Sequence, residues 1–149
     1  MVKNHLKRLN APKTWKIKRK GIIFVTRPNP GSHSLRDSLP LNVIIRDILK
    51  YAKTTREVKR ILSENNVFVD GVRRKDHRFS VGFMDTIKFA EIKESFRILL
   101  NKKGKISLVK IDDNEVNQKL CKITGKTLLK GKIQLNLSDG RNIIVENGS

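Results

Sequence analysis

The first acidic residue in the chain is Asp37, and before it come Lys3, Lys7, Arg8, Lys13, Lys16, Lys18, Arg19, Lys20, Arg27 and Arg36. A block of one sign repels itself and stays open when isolated. Folding it onto a polyanion releases counterions and offsets the entropy lost on ordering. The sequence therefore predicts a basic, extended arm over residues 1–40 that is disordered by itself. The remainder does not restore neutrality: 149 residues carry 33 Lys plus Arg against 14 Asp plus Glu, a formal net charge of +19. Such an imbalance points to an acidic polymer as partner, either nucleic acid or an anionic membrane. No run approaches the ~18 consecutive apolar residues of a spanning helix, and residues 1–21 lack the apolar core of a signal peptide. The expectation is a cytoplasmic protein that inserts in no membrane.

Hydrophobic residues make up 38% of the chain, enough for one or two modest cores. Cys121 is the single cysteine, so an internal disulfide and a cysteine-based zinc site are both excluded; it reads as a small buried hydrophobe. Trp15 lies among Lys13, Lys16 and Lys18 and has two readings, a stacking surface for an unpaired base or a hydrophobic anchor to the protein's own body. Residues 27–33, with Pro28, Pro30 and Gly31, read as extended and turn-rich.

From Leu41 the pattern changes. Leu41, Ile44, Ile45, Ile48, Leu49 and Ala52 recur at helical spacing, with Arg46, Asp47 and Lys50 between them. Thr54 and Glu57 have the spacing of a capping box and announce a second helix with Val58, Ile61 and Leu62 on its apolar face. The polar faces carry Arg46, Lys50, Lys53, Arg56, Lys59 and Arg60, more cations than Asp47, Glu57 and Glu64 can pair. Val67, Phe68 and Val69, then Asp70 and Gly71, then Val72, give the short-range hairpin signal, and Arg73, Arg74 and Lys75 follow the turn.

Further strands are predicted at 85–89, 96–100 and 106–111, a short helix at 112–120, and a small β unit from strands at 126–129, 132–137 and 141–145. The fold class is α+β. The expected organisation is a basic arm at 1–40, a helix-pair and hairpin module at 41–100 and a β-rich domain at 101–149.

Catalytic readings find little support. There is no GxxxxGK[ST] phosphate loop, no HExxH zinc helix and no GxSxG nucleophile elbow. His5, His33 and His77 are the only imidazoles, and they lie in strongly basic or Pro-rich surroundings. Asp112 and Asp113 are adjacent, which points their carboxylates apart and suits helix-start acids better than a catalytic pair. No cofactor, metal or small-molecule substrate is expected, and the chain does not read as an enzyme.

The stretch from Thr54 to Ile87 resembles the S-four RNA-binding domain. HLKRLNAPKTW from His5, LPLNVIIRDILKYAKTTREVKRIL from Leu39, VDGVRRKDHRFSVGFMDTI from Val69 and GKIQLNLSDGRNIIV from Gly131 resemble the archaeal and eukaryotic small-subunit ribosomal protein family S-four-e. Phe79 and Ser80 depart from that family's common Tyr-Pro. The family usually continues into more of a central domain and a KOW-type barrel, so the β-rich domain here is expected to be incomplete.

The resemblance implies a structural protein of the ribosome whose partners are small-subunit rRNA and neighbouring ribosomal proteins. Its RNA-contacting surfaces would fall on Lys3, His5, Lys7, Arg8, Lys13, Trp15, Lys16 and Lys18 of the arm. The helix faces would add Arg46, Lys50, Lys53, Arg56, Lys59 and Arg60, and the hairpin region Arg73, Arg74, Lys75 and Arg78. Recognition would be by shape, phosphate and 2′-hydroxyl, because an A-form duplex hides its base edges. The competing readings are an accessory module of an RNA-modifying enzyme, of the pseudouridine synthase or methyltransferase type, and a generic polyanion or membrane-surface binder.

Overall fold

The capping box legible at Thr54 and Glu57 closes in both directions. The Glu57 N–H donates to Thr54 Oγ1 at 3.2 Å, and Glu57 Oε2 accepts from the backbone N–H groups of Thr54 at 3.4 Å and Lys53 at 2.7 Å. These contacts start the helix Thr55–Glu64, which buries Val58 and Leu62 and leaves its basic side outward. A computed structural model of the chain describes residues 5–64, 66–129 and 131–146. Lys3, expected as an RNA contact, lies outside them. The chain divides into two compact units, Met1–Lys119 and Leu120–Ser149, so the division falls beyond the boundary expected at residue 100.

The first helical segment is shorter than its apolar spacing suggests. Leu41–Val43 is α-helical, and over Ile44–Ile48 the turn widens: Leu49 N–H bonds the Ile44 carbonyl and Tyr51 N–H the Ile45 carbonyl, at 2.9 and 3.0 Å. Lys50 then takes φ 60 and ends the segment, so Ala52 is buried outside it. A side chain held in the left-handed region costs ~1–2 kcal/mol, which the closed turn and the buried Leu41, Ile44 and Ile45 offset.

The predicted hairpin forms from Val67–Val69 and Val72–Arg73, with Asp70 at φ 48 and Gly71 at φ 76, the two positive values that a tight hairpin turn requires. It is the edge of a five-stranded antiparallel sheet that continues through Thr86–Phe89, Glu94–Leu100 and Ile106–Ile111 in that spatial order. Ile106–Ile111 thus completes the sheet of the first unit. A two-stranded ribbon of Ser38–Pro40 with Ser80–Gly82, pairing Leu39 with Val81, lies outside the sequence expectation. Three residues running into a proline are too short to show an alternation. The expected short helix at 112–120 is reduced to one turn, Asp113–Glu115.

The arm is not a free tail, which corrects the expectation from its charge. Leu6–Lys7 pairs antiparallel with Phe24–Val25, and Ala11, Trp15 and Val25 join Leu39, Leu41, Ile44, Ile45, Ile98 and Ile106 in one core. The Ile106 N–H donates to the Thr14 carbonyl at 2.9 Å, which fixes the arm to the last strand of the sheet. Apolar burial and backbone pairing outweigh the repulsion among surface lysines that remain solvated.

The second unit is a meander of Ile123–Leu129, Lys132–Leu137 and Asn142–Val145. Ile123, Leu128, Leu129, Ile143 and Ile144 are exposed, so three strands bury little apolar surface. Cys121 is half-buried, not buried as expected, with its Sγ 3.6 Å from an Asp139 carboxylate oxygen. Among the described residues, no helix is long and apolar enough to cross a membrane.

Candidate nucleic-acid interface

Helix Thr55–Glu64 turns Val58 and Leu62 inward, and its pitch carries Arg56, Lys59 and Arg60 outward beside Lys53 at its start. On that face Lys53 lies near Glu57 of the capping box, and Arg60 pairs with Glu64 at 2.8 Å, both partners of the latter pair so exposed that it neutralises charge without ordering much. The hairpin is tied to the end of this helix, because an Arg73 Nη donates to the Ser63 carbonyl at 3.3 Å. Arg73 and Lys75 are exposed, whereas Arg74 lies over the Phe79 ring at 4.3 Å and is half-buried. Phe79, where the resembled family commonly has tyrosine, therefore serves as the floor for a guanidinium. Arg78 donates from Nε to the Arg27 carbonyl at 3.2 Å and fastens the Pro-rich segment to the same region. His77 sits lower than an ordinary imidazole, first because it is partly buried and then because Lys59 is near.

A buried polar network holds these pieces in register. Asp85 accepts from His33, from the Gly82 N–H at 2.8 Å and from Lys119, and Lys119 also donates to Asp70 at 2.7 Å. Burial pushes the Asp85 carboxyl up, but the bonds from His33, Lys119 and Gly82 outweigh it and hold its pKa below the usual carboxylate value. Burial likewise pulls the Lys119 ammonium down, and its bonds to Asp70 and Asp85 outweigh that and raise it. The hairpin turn, the turn before Thr86 and the Pro-rich segment are thereby joined. A methyl group at Gly82 would sit 2.1 Å from the His33 ring, so only glycine lets that ring approach.

The arm supplies a second cationic surface. Arg8 is 5% exposed; one Nη donates to the Lys18 carbonyl at 2.9 Å and the other faces Asp47 at 3.4 Å. Arg46 grips Asp47 with two bonds of 3.0 Å and donates to Thr55 Oγ1, linking this surface to the start of the second helix. Lys16, Lys18 and Lys20 of the arm face Arg46 and Lys50 of the helical turn across a cleft of about 420 Å³. A second cleft of about 200 Å³, walled by Tyr51, Ile61, Phe89 and Ile92, has no cation.

Two expected contacts are buried. Trp15 is 1% exposed and presents no surface to a duplex, so it is the anchor of its two readings, whereas Arg8 has both Nη groups turned to internal partners and lines a cleft. Arg46 and Arg78 are half-buried and internally hydrogen-bonded, and Arg74 is half-buried over the Phe79 ring. His5, Lys7, Lys13, Lys16, Lys18, Lys50, Lys53, Arg56, Lys59, Arg60, Arg73 and Lys75 are exposed. Lys20 joins the cleft without having been singled out, although it belongs to the same cation run. Arg19 is structural, donating to the carbonyls of Arg8, Ala11 and Pro12. Among the described residues no cluster of His, Cys, Asp or Glu could hold a metal ion.

Three family models match successive parts of the chain: the RS4NT domain over residues 2–36, the S4 domain over 39–87 and ribosomal family S4e over 92–148. The small ribosomal subunit protein eS4 of Methanococcus aeolicus is 52% identical over 145 residues, 97% of this chain and 59% of that protein. The chain belongs to the ribosomal S4e family. The eS4 proteins of Methanocaldococcus jannaschii and Methanocella arvoryzae are each 48% identical, over 97% and 99% of this S4e chain and 59% and 62% of their own lengths. The crystal structure of the 30S ribosomal protein S4e from Thermoplasma acidophilum matches with a TM-score of 0.61 at 38% identity, covering 76% of this chain and 58% of that one. The chain thus spans about three fifths of the length of the relatives it matches.

Proposed function

We propose that this S4e chain is a structural constituent of the small ribosomal subunit, in the cytoplasm, and that it binds and stabilises folded small-subunit rRNA without catalysing a reaction. The observation that carries the reading is the fixed cationic face of helix Thr55–Glu64 and the hairpin beside it. Arg56, Lys59, Arg73 and Lys75 are exposed on elements locked together by the capping box, the Arg73 bond to Ser63 and the Asp85 network. Rigid elements hold lysine and arginine at fixed spacings, which favours phosphates arranged in a folded RNA over a flexible polyanion. The names of its relatives favour a ribosomal protein and lend no support to an RNA-modifying enzyme. Neighbouring ribosomal proteins are the expected further partners.

The test is binding of the purified chain to small-subunit rRNA fragments and to length-matched unstructured RNA across a salt series. Selective binding to particular fragments with a steep salt slope is the expected result. Equal weak binding to every polyanion would reduce the protein to a generic basic surface.

A further inference from the structure

The cleft between the arm and the first helical turn is assembled from distant parts of the sequence, Lys16, Lys18 and Lys20 on one wall and Arg46 and Lys50 on the other, with Arg8 lining it as well. Six cations share it with a single carboxylate, Asp47, and that carboxylate is already taken up by two bonds from Arg46 and a longer one from Arg8. Arg8 is 5% exposed, and its Nε–H has no hydrogen-bond partner. A buried donor with no acceptor is unfavourable, and a guanidinium donor is best matched by an anionic oxygen. Lys50 stands exposed at the rim, presented by the left-handed turn that ends the helical segment. At about 420 Å³ the space lies within the ~300–1,000 Å³ of small-ligand clefts, larger than a lone phosphate needs. Ile17 and Ile22 add apolar wall beside the cations.

We propose that this cleft is a discrete binding site for one phosphodiester unit of an RNA strand, with Arg8 Nε as the buried donor, Lys16, Lys18, Lys20 and Lys50 as the ring of charge, and the isoleucines against the ribose. The proposal rests on the RNA-binding reading above and adds a second point of attachment to the helix and hairpin face. A metal cation is repelled by this charge. A carboxylate would meet the donors but leave the apolar wall unused. Because both walls are needed, the site exists only while the arm is docked.

The experiment follows the arginine Nε–H signals of the ¹⁵N-labelled chain by NMR as a selected rRNA fragment is added, with inorganic phosphate and an acidic peptide as parallel titrants. The Arg8 signal should move and exchange more slowly with RNA at concentrations where inorganic phosphate and the peptide leave it unchanged. Binding is compared for two variants that each lose two charges: Lys18→Ala with Lys50→Gly, which keeps a residue suited to the left-handed turn, and Lys102→Ala with Lys103→Ala on the exposed turn after Leu100. The cleft variant should lose about tenfold in affinity and about one in salt slope, and the turn variant far less. Unchanged Trp15 emission would show that the arm is still docked in both. Equal losses in the two variants, or an Arg8 signal that responds to phosphate or peptide but not to RNA, would overturn the cleft assignment while leaving RNA binding standing. Failure of the parent chain to prefer structured RNA would instead overturn the functional reading itself.

Discussion

Trp15 donates its indole N–H to the Leu35 carbonyl at 3.3 Å, closing one end of the basic arm onto the other while the ring itself is buried in the core. Arg19 reinforces the same fold by bonding three carbonyls between Arg8 and Pro12. An aromatic surrounded by lysines in sequence is thus among the most buried of the arm's described residues. It also reports on that segment, because it is the only tryptophan in the chain.

Fluorescence of the RNA-free protein should show blue-shifted Trp15 emission with little quenching by iodide. Trp15→Ala should cost ~3–5 kcal/mol in urea unfolding, as for a buried large aromatic. Red emission in the native protein would mean that the arm docks only on RNA. For the same reason, deleting residues 1–20 removes core as well as charge, and the arm's electrostatic share is better measured with Lys7→Ala, Lys13→Ala and Lys16→Ala, which should lower the salt slope at unchanged stability.

Tyr51 is the only tyrosine, packed edge-on to Phe89 at 5.5 Å and donating to Glu94. Burial, then the hydrogen bond and the negative charge of Glu94, push its pKa from 10.0 to about 12. Ultraviolet titration of the native chain should therefore show no phenolate near pH 10. Because the folded value is raised, the stability from this proton is complete below the unfolded value and declines as pH rises towards 12. Glu94→Gln should bring the transition down.

Asp85 has a folded pKa below its ordinary 3.8, so it contributes stability at neutral pH that disappears as pH falls through the folded value. Lys119 is raised above its ordinary 10.5, and its contribution is lost only in strong alkali. Acid unfolding monitored by circular dichroism should be delayed to below about pH 4 for this network. Asp85→Ala, which leaves Lys119 and His33 facing an empty position, should cost ~3–5 kcal/mol at pH 7.

The hairpin arginines should separate in their effects. Arg73→Ala with Lys75→Ala should weaken RNA binding with the thermal midpoint nearly unchanged. Arg74→Ala should also lower stability, by ~0.5–2 kcal/mol, because its guanidinium covers Phe79. Equal stabilities for all three would remove that distinction.

What the sequence made legible was local. The capping box at Thr54 and Glu57, the Asp70 and Gly71 turn and the alternating strands each rest on contacts a few residues apart, and each forms close to where it was expected. The early end at Lys50 was hidden because a lysine in a left-handed conformation leaves no compositional mark, unlike glycine. The docking of the arm was hidden for a different reason: its partners Asp47 and Ile106 are remote in sequence, and charge counting weighs lysines equally whether or not an anchor lies between them. The exposed cations of the helix and hairpin needed only helical pitch. The assignment of Arg8 and Lys20 to one cleft needed the path of the chain.

The bond from Ile106 to the Thr14 carbonyl sets a timetable for the nascent chain. The arm is synthesised before the strand that receives it, which is made some ninety residues later. At ~5–20 residues per second the wait is several seconds, many times longer than a hairpin takes to form. During that interval the most basic part of the molecule is tethered but unhoused, beside the RNA of the ribosome that is making it. Cells that make such a chain have reason to shield its first forty residues until the sheet is complete.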